Sequence, residues 1–144
     1  MAEATEVTVS SDEGLAQQIV SGDHRWLADE PPPYGTGTGP SPYQLLLSAL
    51  GACTSMTLRL YAQRKGMDVQ RITVRLQHSR IHAADCQGCE TKSGFLDRID
   101  RDIQLTGNLS ENEKRRLLEI AERCPVHRTL QSEMHIRTSI NAWS

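Results

Sequence analysis

One stretch constrains this chain more than any other: Pro42 to Lys65, read as PYQLLLSALGACTSMTLRLYAQRK. From Pro42 to Met56 it carries no charge, and its Leu, Ala, Cys and Met side chains lie all round a 3.6-residue helical wheel. A surface helix shows one apolar stripe with a charged face opposite; here charge appears only at Arg59, Arg64 and Lys65, near the end where cations suit the helix dipole. The pattern predicts a buried helix. Ser41 can cap it, Pro42 suits its first position and Gly66 can stop it. At 1.5 Å per residue it is about 36 Å long, enough to run through the middle of a small domain. Cys53 falls near its centre, and Ala49, Gly51 and Ala52 leave space beside the sulfur.

A chain of 144 residues is expected to form one domain, residues 1–144, and is small for burying so long a helix. A second copy covering part of it, a homodimer, is therefore expected. Lys plus Arg is 16 against 18 Asp plus Glu, net -2, with no basic run, which argues against nucleic acid. The opening MAEATEVTVSSDEG is acidic and polar and lacks the apolar core of a signal peptide. The uncharged part of the long helix contains Ser48, Thr54 and Ser55 and falls short of the roughly 20 apolar residues of a membrane span. The expectation is a soluble, cytoplasmic protein with no membrane partner. In a reducing compartment its four cysteines point to metal binding or thiol chemistry before structural disulfides.

Residues 6–10, 15–21 and 24–28 alternate or are β-branched around turns at Gly14 and Ser21-Gly22, so residues 1–29 predict a three-stranded antiparallel meander. Residues 29–41 (DEPPPYGTGTGPS) hold four Pro and three Gly and predict a loop. A loop of this length in a compact domain is more often functional or partner-bound than a flexible linker. After the helix, residues 69–81 alternate Ile72, Val74 and Leu76 against polar neighbours, and residues 95–105 keep enough period to return as the second strand of a long hairpin. Ser110 to Glu113 is a capping box before a helical face through Leu117, Ile120 and Cys124, which Pro125 interrupts. Residues 134–140 alternate into a last strand. The order βββ, long helix, ββ, helix, β is that of an α+β fold with one helix against antiparallel sheets.

The run GTGTGPSPYQLLLSALGACTSMTLRLYAQRKG, followed by LLEIAERCPVHRTL with its own Cys about 70 residues after Cys53, resembles the OsmC family, the osmotically inducible and organic hydroperoxide resistance proteins. The resemblance implies an OsmC-like fold and an intertwined homodimer whose two long helices pack together between sheets. It implies no cofactor, and thiol peroxidase chemistry in which Cys53 attacks a hydroperoxide and Cys124 closes a disulfide that a thiol or dithiol reductant reopens.

That chemistry requires a thiolate, and a free thiol with a pKa of about 8.5 is raised further by burial in an apolar helix, so a cation must stand nearby. In the family an arginine does this; Arg25 in the third strand is the expected residue here, ahead of Arg59 and Arg128. A sulfenic acid on Cys53 needs a second thiol before it overoxidises, and Cys124 can supply it. One departure weakens the match: peroxidase members commonly carry an acidic residue just after the helix-opening proline, whereas Pro42 is followed by Tyr43 and Gln44. Glu30 or Asp29 is the candidate substitute. His127, three residues after Cys124, is read as a helix-end residue rather than a tuning group.

A second constellation competes. His78, His82, Cys86 and Cys89 form H-x3-H-x3-C-x2-C, the ligand types of a tetrahedral zinc site. On a strand the two histidines stand about 13 Å apart, too far for one ion unless the strand ends first. A disulfide bridge between Cys86 and Cys89 at the hairpin tip, or an inert loop, is the other reading. The alternative function is accordingly a non-catalytic OsmC-fold protein binding a small apolar ligand or a metal.

Overall fold

The computed structural model describes residues 4–141, so the outermost three residues at each end of the expected 1–144 domain lie outside the described residues. Five strands and three helices follow in the order β1 (Thr8–Ser10), β2 (Gln17–Ser21), β3 (His24–Ala28), α1 (Pro42–Lys65), β4 (Ile72–His82), β5 (Phe95–Leu105), α2 (Glu111–Ala121) and α3 (Pro125–Gln131). The architecture is α+β, with a central helix and antiparallel sheets. The chain divides into two compact units, the first ending at Ser48 and the second starting at Ala49.

The first unit is the expected meander. β1 pairs with β2 and β2 with β3, both antiparallel, with Ile19 opposite Val9 on one side and Trp26 on the other. Ile19 and Ala28 are buried. The Pro/Gly loop behind β3 is organised by one buried carboxylate. Asp29 accepts hydrogen bonds from the backbone N–H of Glu30 at 2.7 Å and from the hydroxyls of Thr36 and Thr38 at 2.9 and 2.8 Å. The N–H groups of both threonines donate to it as well, and Asp29 N–H to Pro40 carbonyl at 3.0 Å closes the loop. A Cβ at Gly39 would stand 2.5 Å from the Leu27 carbonyl oxygen, which is why the loop can return so close to β3. Neither a flexible linker nor a spare carboxylate at Asp29 survives this arrangement.

α1 begins and ends where the sequence predicts. Ser41 and Gln44 cap it reciprocally: Gln44 N–H donates to the Ser41 hydroxyl at 3.3 Å, and Ser41 N–H to the Gln44 side-chain oxygen at 2.8 Å. Gly66, at φ +65°, ends it, with Met67 N–H reaching back to the Ala62 carbonyl. Burial of the helix within one chain is narrower than expected. Only Leu50, Thr54, Leu58 and Ala62, an i, i+4 stripe, are buried, while Met56 and Leu60 remain 65% and 60% exposed.

In the second unit β4 and β5 form an eleven-pair antiparallel ladder from Ile72 opposite Leu105 to His82 opposite Phe95. The less clean alternation of β5 resolves over its second half: Ile99, Arg101, Ile103 and Leu105 are half-buried in strict alternation, while Leu96 near its start is half-buried out of that phase. Leu58, Leu117, Ile120 and Ala121 make the core, with Tyr61, Ile72 and Ile103 packed around them. α2 carries the expected capping box between Ser110 and Glu113. Residues 134–140 form no strand: among the described residues they have no pairing partner, and Ile136 and Ile140 stand 81% and 96% exposed. Alternation predicts which face a strand buries, but a strand exists only where another backbone completes its ladder. By length and composition alone α1 could cross a membrane. Leu58 in the core cluster makes it instead a helix packed in this unit.

Candidate active site

The second unit brings Cys53 and Cys124 together as neighbouring free thiols that shift each other's acidity. Cys53 comes from the middle of α1, one residue before the buried stripe at Thr54. Cys124 is placed by the stop between two helices: α2 ends at Ala121, Cys124 is the residue before α3, and Pro125 takes the first position of α3, where a missing N–H costs nothing. The two sulfurs are not equivalent. Cys53 is partly exposed, whereas Cys124 is fully buried.

Their acidities are pushed in opposite directions. Burial raises Cys53, and the neighbouring Cys124 thiol adds to that, against smaller help from Val126 N–H and the Thr57 hydroxyl. Burial also opposes ionisation of Cys124. There it is outweighed by hydrogen bonds from the Cys53 thiol, His127 N–H, the Thr54 hydroxyl and Val126 N–H, so that Cys124 lies below the ordinary thiol value.

Behind Thr54 stands a residue that sequence reasoning missed. Arg101, on the half-buried face of β5 and only 11% exposed, donates from Nη1 to the Thr54 hydroxyl at 3.0 Å. Its Nη2 donates to His127 Nδ1 at 3.1 Å and stands 3.5 Å from the Glu122 carboxylate. His127 Nε2 lies 3.0 Å from the same carboxylate. A guanidinium can only donate and a carboxylate only accept, so these partners select the His127 tautomer with its proton on Nε2. His127 is thus part of a network and not merely a helix-end residue. The signal was present: in Ile99-x-Arg101-x-Ile103 a charge occupies a position where the alternation calls for an apolar side chain.

The other sequence candidates are placed as follows. Arg25 is exposed on β3 in the first unit, opposite Val20. Arg59 is engaged elsewhere, donating to the carbonyls of Val69 and Gln70 at 2.6 and 3.0 Å, and Arg128 is exposed on α3. Gln44, where peroxidase members carry an acid, is occupied in capping α1. The metal reading of the hairpin tip loses its ligands. Cys86 and Cys89 are joined to each other in a disulfide, with Cα atoms 5.8 Å apart. His78 Nε2 meets Asp97 at 2.9 Å and the His82 ring stacks on Phe95 at 4.3 Å. Among the described residues no group of three or more His, Cys, Asp or Glu is placed to hold a metal ion.

A groove of about 630 Å³ is lined by Thr57, Leu60, Tyr61, Gln63, Arg64, Ile120, Arg123 and Pro125. Its lining is mixed, and two of its residues neighbour the cysteines: Thr57 interacts with Cys53, and Pro125 follows Cys124 in the chain.

A buried and a half-exposed thiol meeting between a long helix and a Cys-Pro helix junction, on an α+β fold, define a dithiol protein of the OsmC type. The chain belongs to that family: the OsmC-like protein family profile matches residues 35–139. It is 24% identical over 139 residues to a hydroperoxide reductase of Mycoplasma pneumoniae, covering 94% of this chain and 93% of the relative. The crystal structure of an OsmC-like protein from Mycoplasma pneumoniae superposes with a TM-score of 0.74 at 26% identity, over 91% of this chain and 89% of that one. The organic hydroperoxide resistance protein OhrB of Bacillus subtilis shares the fold, with a TM-score of 0.62 at 22% identity over 90% of this chain and 91% of its own.

Proposed function

We propose that this chain is a cytoplasmic, thiol-dependent peroxidase that reduces organic hydroperoxides. The observation that carries the reading is the meeting of Cys53 and Cys124 as neighbouring thiols, one accessible and one buried. The half-exposed Cys53 attacks the outer oxygen of the peroxide, the O–O bond breaks, and the alcohol leaves. The sulfenic acid on Cys53 is then displaced by Cys124, releasing water and forming the disulfide, and a dithiol reductant returns both sulfurs to thiols. The apolar walls of the groove, Leu60 and Ile120, favour an organic peroxide over hydrogen peroxide. The relative named hydroperoxide reductase supports the same reaction.

Arg25 remains the proposed activating cation for Cys53, with Arg101 the guanidinium already linked to the pair through Thr54. The working form is a homodimer. Exposed Met56 on α1 is a side chain a second copy would cover, and residues 134–140, with Met134, Ile136 and Ile140 exposed, would form a strand against a partner. The family match runs across the boundary between the two compact units, which supports a single OsmC-like domain.

The test is consumption of cumene hydroperoxide and hydrogen peroxide by reduced protein with a dithiol donor. Turnover with cumene hydroperoxide should exceed that with hydrogen peroxide, vanish in Cys53→Ser, and decay rapidly through overoxidation in Cys124→Ser. No turnover with either a small dithiol or a dithiol protein would sink the assignment.

A further inference from the structure

We propose that Arg101, acting through Thr54, makes Cys124 the leaving group when the Cys53–Cys124 disulfide is reduced, so that the incoming thiol attacks Cys53. The inference rests on the two cysteines forming a disulfide in the cycle just described, and it concerns the half of that cycle in which no peroxide takes part.

Three features of the site lead here. Access comes first: an attacking thiolate must reach one sulfur of the bridge, and only Cys53 is partly exposed, whereas Cys124 has no exposed surface. The second feature is the Thr54 hydroxyl, itself fully buried. A hydroxyl has one hydrogen and two lone pairs. Because Arg101 Nη1 donates to this oxygen at 3.0 Å, the hydroxyl's own hydrogen is left to serve either the Leu50 carbonyl at 2.7 Å or the Cys124 sulfur. When negative charge arrives on Cys124 the hydrogen turns to it, and the guanidinium's charge is transmitted through a polarised O–H. The third feature is that Arg101 cannot swing away. His127 Nδ1 accepts from it at 3.1 Å, and Glu122 ties both side chains from the end of α2. The charged and titratable groups near Cys124 include Cys53, Arg101, His127 and Glu122, with Arg123 and Arg128 on its own stretch of chain, and Arg101 is the cation bonded to Thr54. The lowered pKa of Cys124 beside the raised pKa of Cys53 agrees with hydrogen bonding from Thr54 to the Cys124 thiolate.

The exchange balances as follows. A thiolate of the dithiol reductant bonds to Cys53 Sγ; the Cys53–Cys124 bond breaks and its electron pair leaves on Cys124 as a thiolate. The reductant's second thiol then attacks its own sulfur in the mixed disulfide, Cys53 departs as a thiolate that takes a proton from solvent, and the reductant leaves oxidised as a disulfide. A leaving thiol of lower pKa departs faster, so the step gains from every group that steadies Cys124. Arg101 and Thr54 touch no substrate and are positioning residues.

The test uses full-length protein oxidised with diamide instead of peroxide, so a failed peroxidase assignment does not affect it. Reduction by dithiothreitol is quenched with acid at intervals, and the thiols are alkylated and assigned to Cys53 and Cys124 by peptide mass spectrometry. Arg101→Met and Thr54→Val should slow the reduction about threefold for each unit by which the Cys124 thiol is raised, while Arg101→Lys and Thr54→Ser should restore most of the rate. The thiolate absorbance of Cys124, titrated in a Cys53→Ser background, should move to higher pH in Arg101→Met by about one unit. Wild-type protein treated briefly with a monothiol should carry the adduct on Cys53. An adduct on Cys124, or an unchanged Cys124 titration in both Arg101→Met and Thr54→Val, overturns the proposal. The adduct mapping requires no variant and so holds even where a substitution prevents folding.

Discussion

Leu117→Ala should be the sharpest probe of what holds Cys124 in place. Leu117 is 0% exposed on the inward face of α2 and belongs to the core cluster with Leu58 of α1 and with Ile120 and Ala121 of its own helix. Truncating a leucine so enclosed removes the transfer energy of its isobutyl group and leaves a cavity that helices on both sides can only partly close; such changes cost about 2–5 kcal/mol. The absence of any exposed surface at Leu117, and the tie that Arg116 makes to Tyr61 of α1 at 3.0 Å, restrict collapse of the cavity, so a value of about 3 kcal/mol is expected. Leu118 supplies the control, since it is 61% exposed one position along the same helix. Its truncation should stay within about 0.5 kcal/mol. The assay is urea unfolding of both variants and wild type at one protein concentration, with reduced thiols throughout. Because α2 delivers the chain to Cys124 three residues after Ala121, Leu117→Ala should also slow diamide-induced closure of the Cys53–Cys124 bridge. A loss below about 1 kcal/mol for Leu117→Ala, or an equal loss for Leu118→Ala, would refute the assignment of the packed face of α2.

Two further outcomes follow from the loop and the hairpin tip. The Thr38 hydroxyl, then the N–H groups of Thr38 and Glu30 and the Thr36 hydroxyl, hold the Asp29 carboxyl well below the usual carboxylate range against the opposing effect of burial. Its contribution to order is therefore complete above the unfolded value of about 3.9 and is lost as pH falls below it. Hydrogen exchange in residues 30–40 should accelerate on acidification beyond its intrinsic pH dependence in wild type, and Asp29→Asn should be fast already at neutral pH; identical protection in the two proteins would remove Asp29 as the organiser. At the tip, the Cys86→Ser/Cys89→Ser double variant should keep full peroxide-dependent loss of the Cys53 and Cys124 thiols by peptide mapping, because the tip pair is bonded within itself. A lost or halved response would tie the tip to the reaction.

Much of the fold was legible because its signals are local. The uncharged run of α1, the Ser110–Glu113 box and the turn glycines each act over a few residues, and the ends of α1 and β5 fall where the pattern puts them. The two cysteines could be singled out from the family-like runs around them. What could not be read was which partners long-range packing would choose. Asp29 looked like a spare carboxylate until four donors from Thr36 and Thr38 claimed it, and Gln44 looked like a missing acid until it closed the cap on Ser41. Residues 134–140 carry a strand's alternation without a strand's neighbour among the described residues.

Arg101 shows the same limit from the other side. The expected activating cation was sought near the start of the chain, by resemblance, whereas the guanidinium joined to the thiol pair through Thr54 enters from β5. Alternation alone marks it as anomalous, because burying a charge is costly unless partners repay its lost hydration. Those partners are Thr54, His127 and Glu122, and the first of them lies next to Cys53 in sequence while its hydroxyl serves Cys124 in space. The strand's one half-buried charge is thus retained where Thr54 can relay it to the enclosed sulfur.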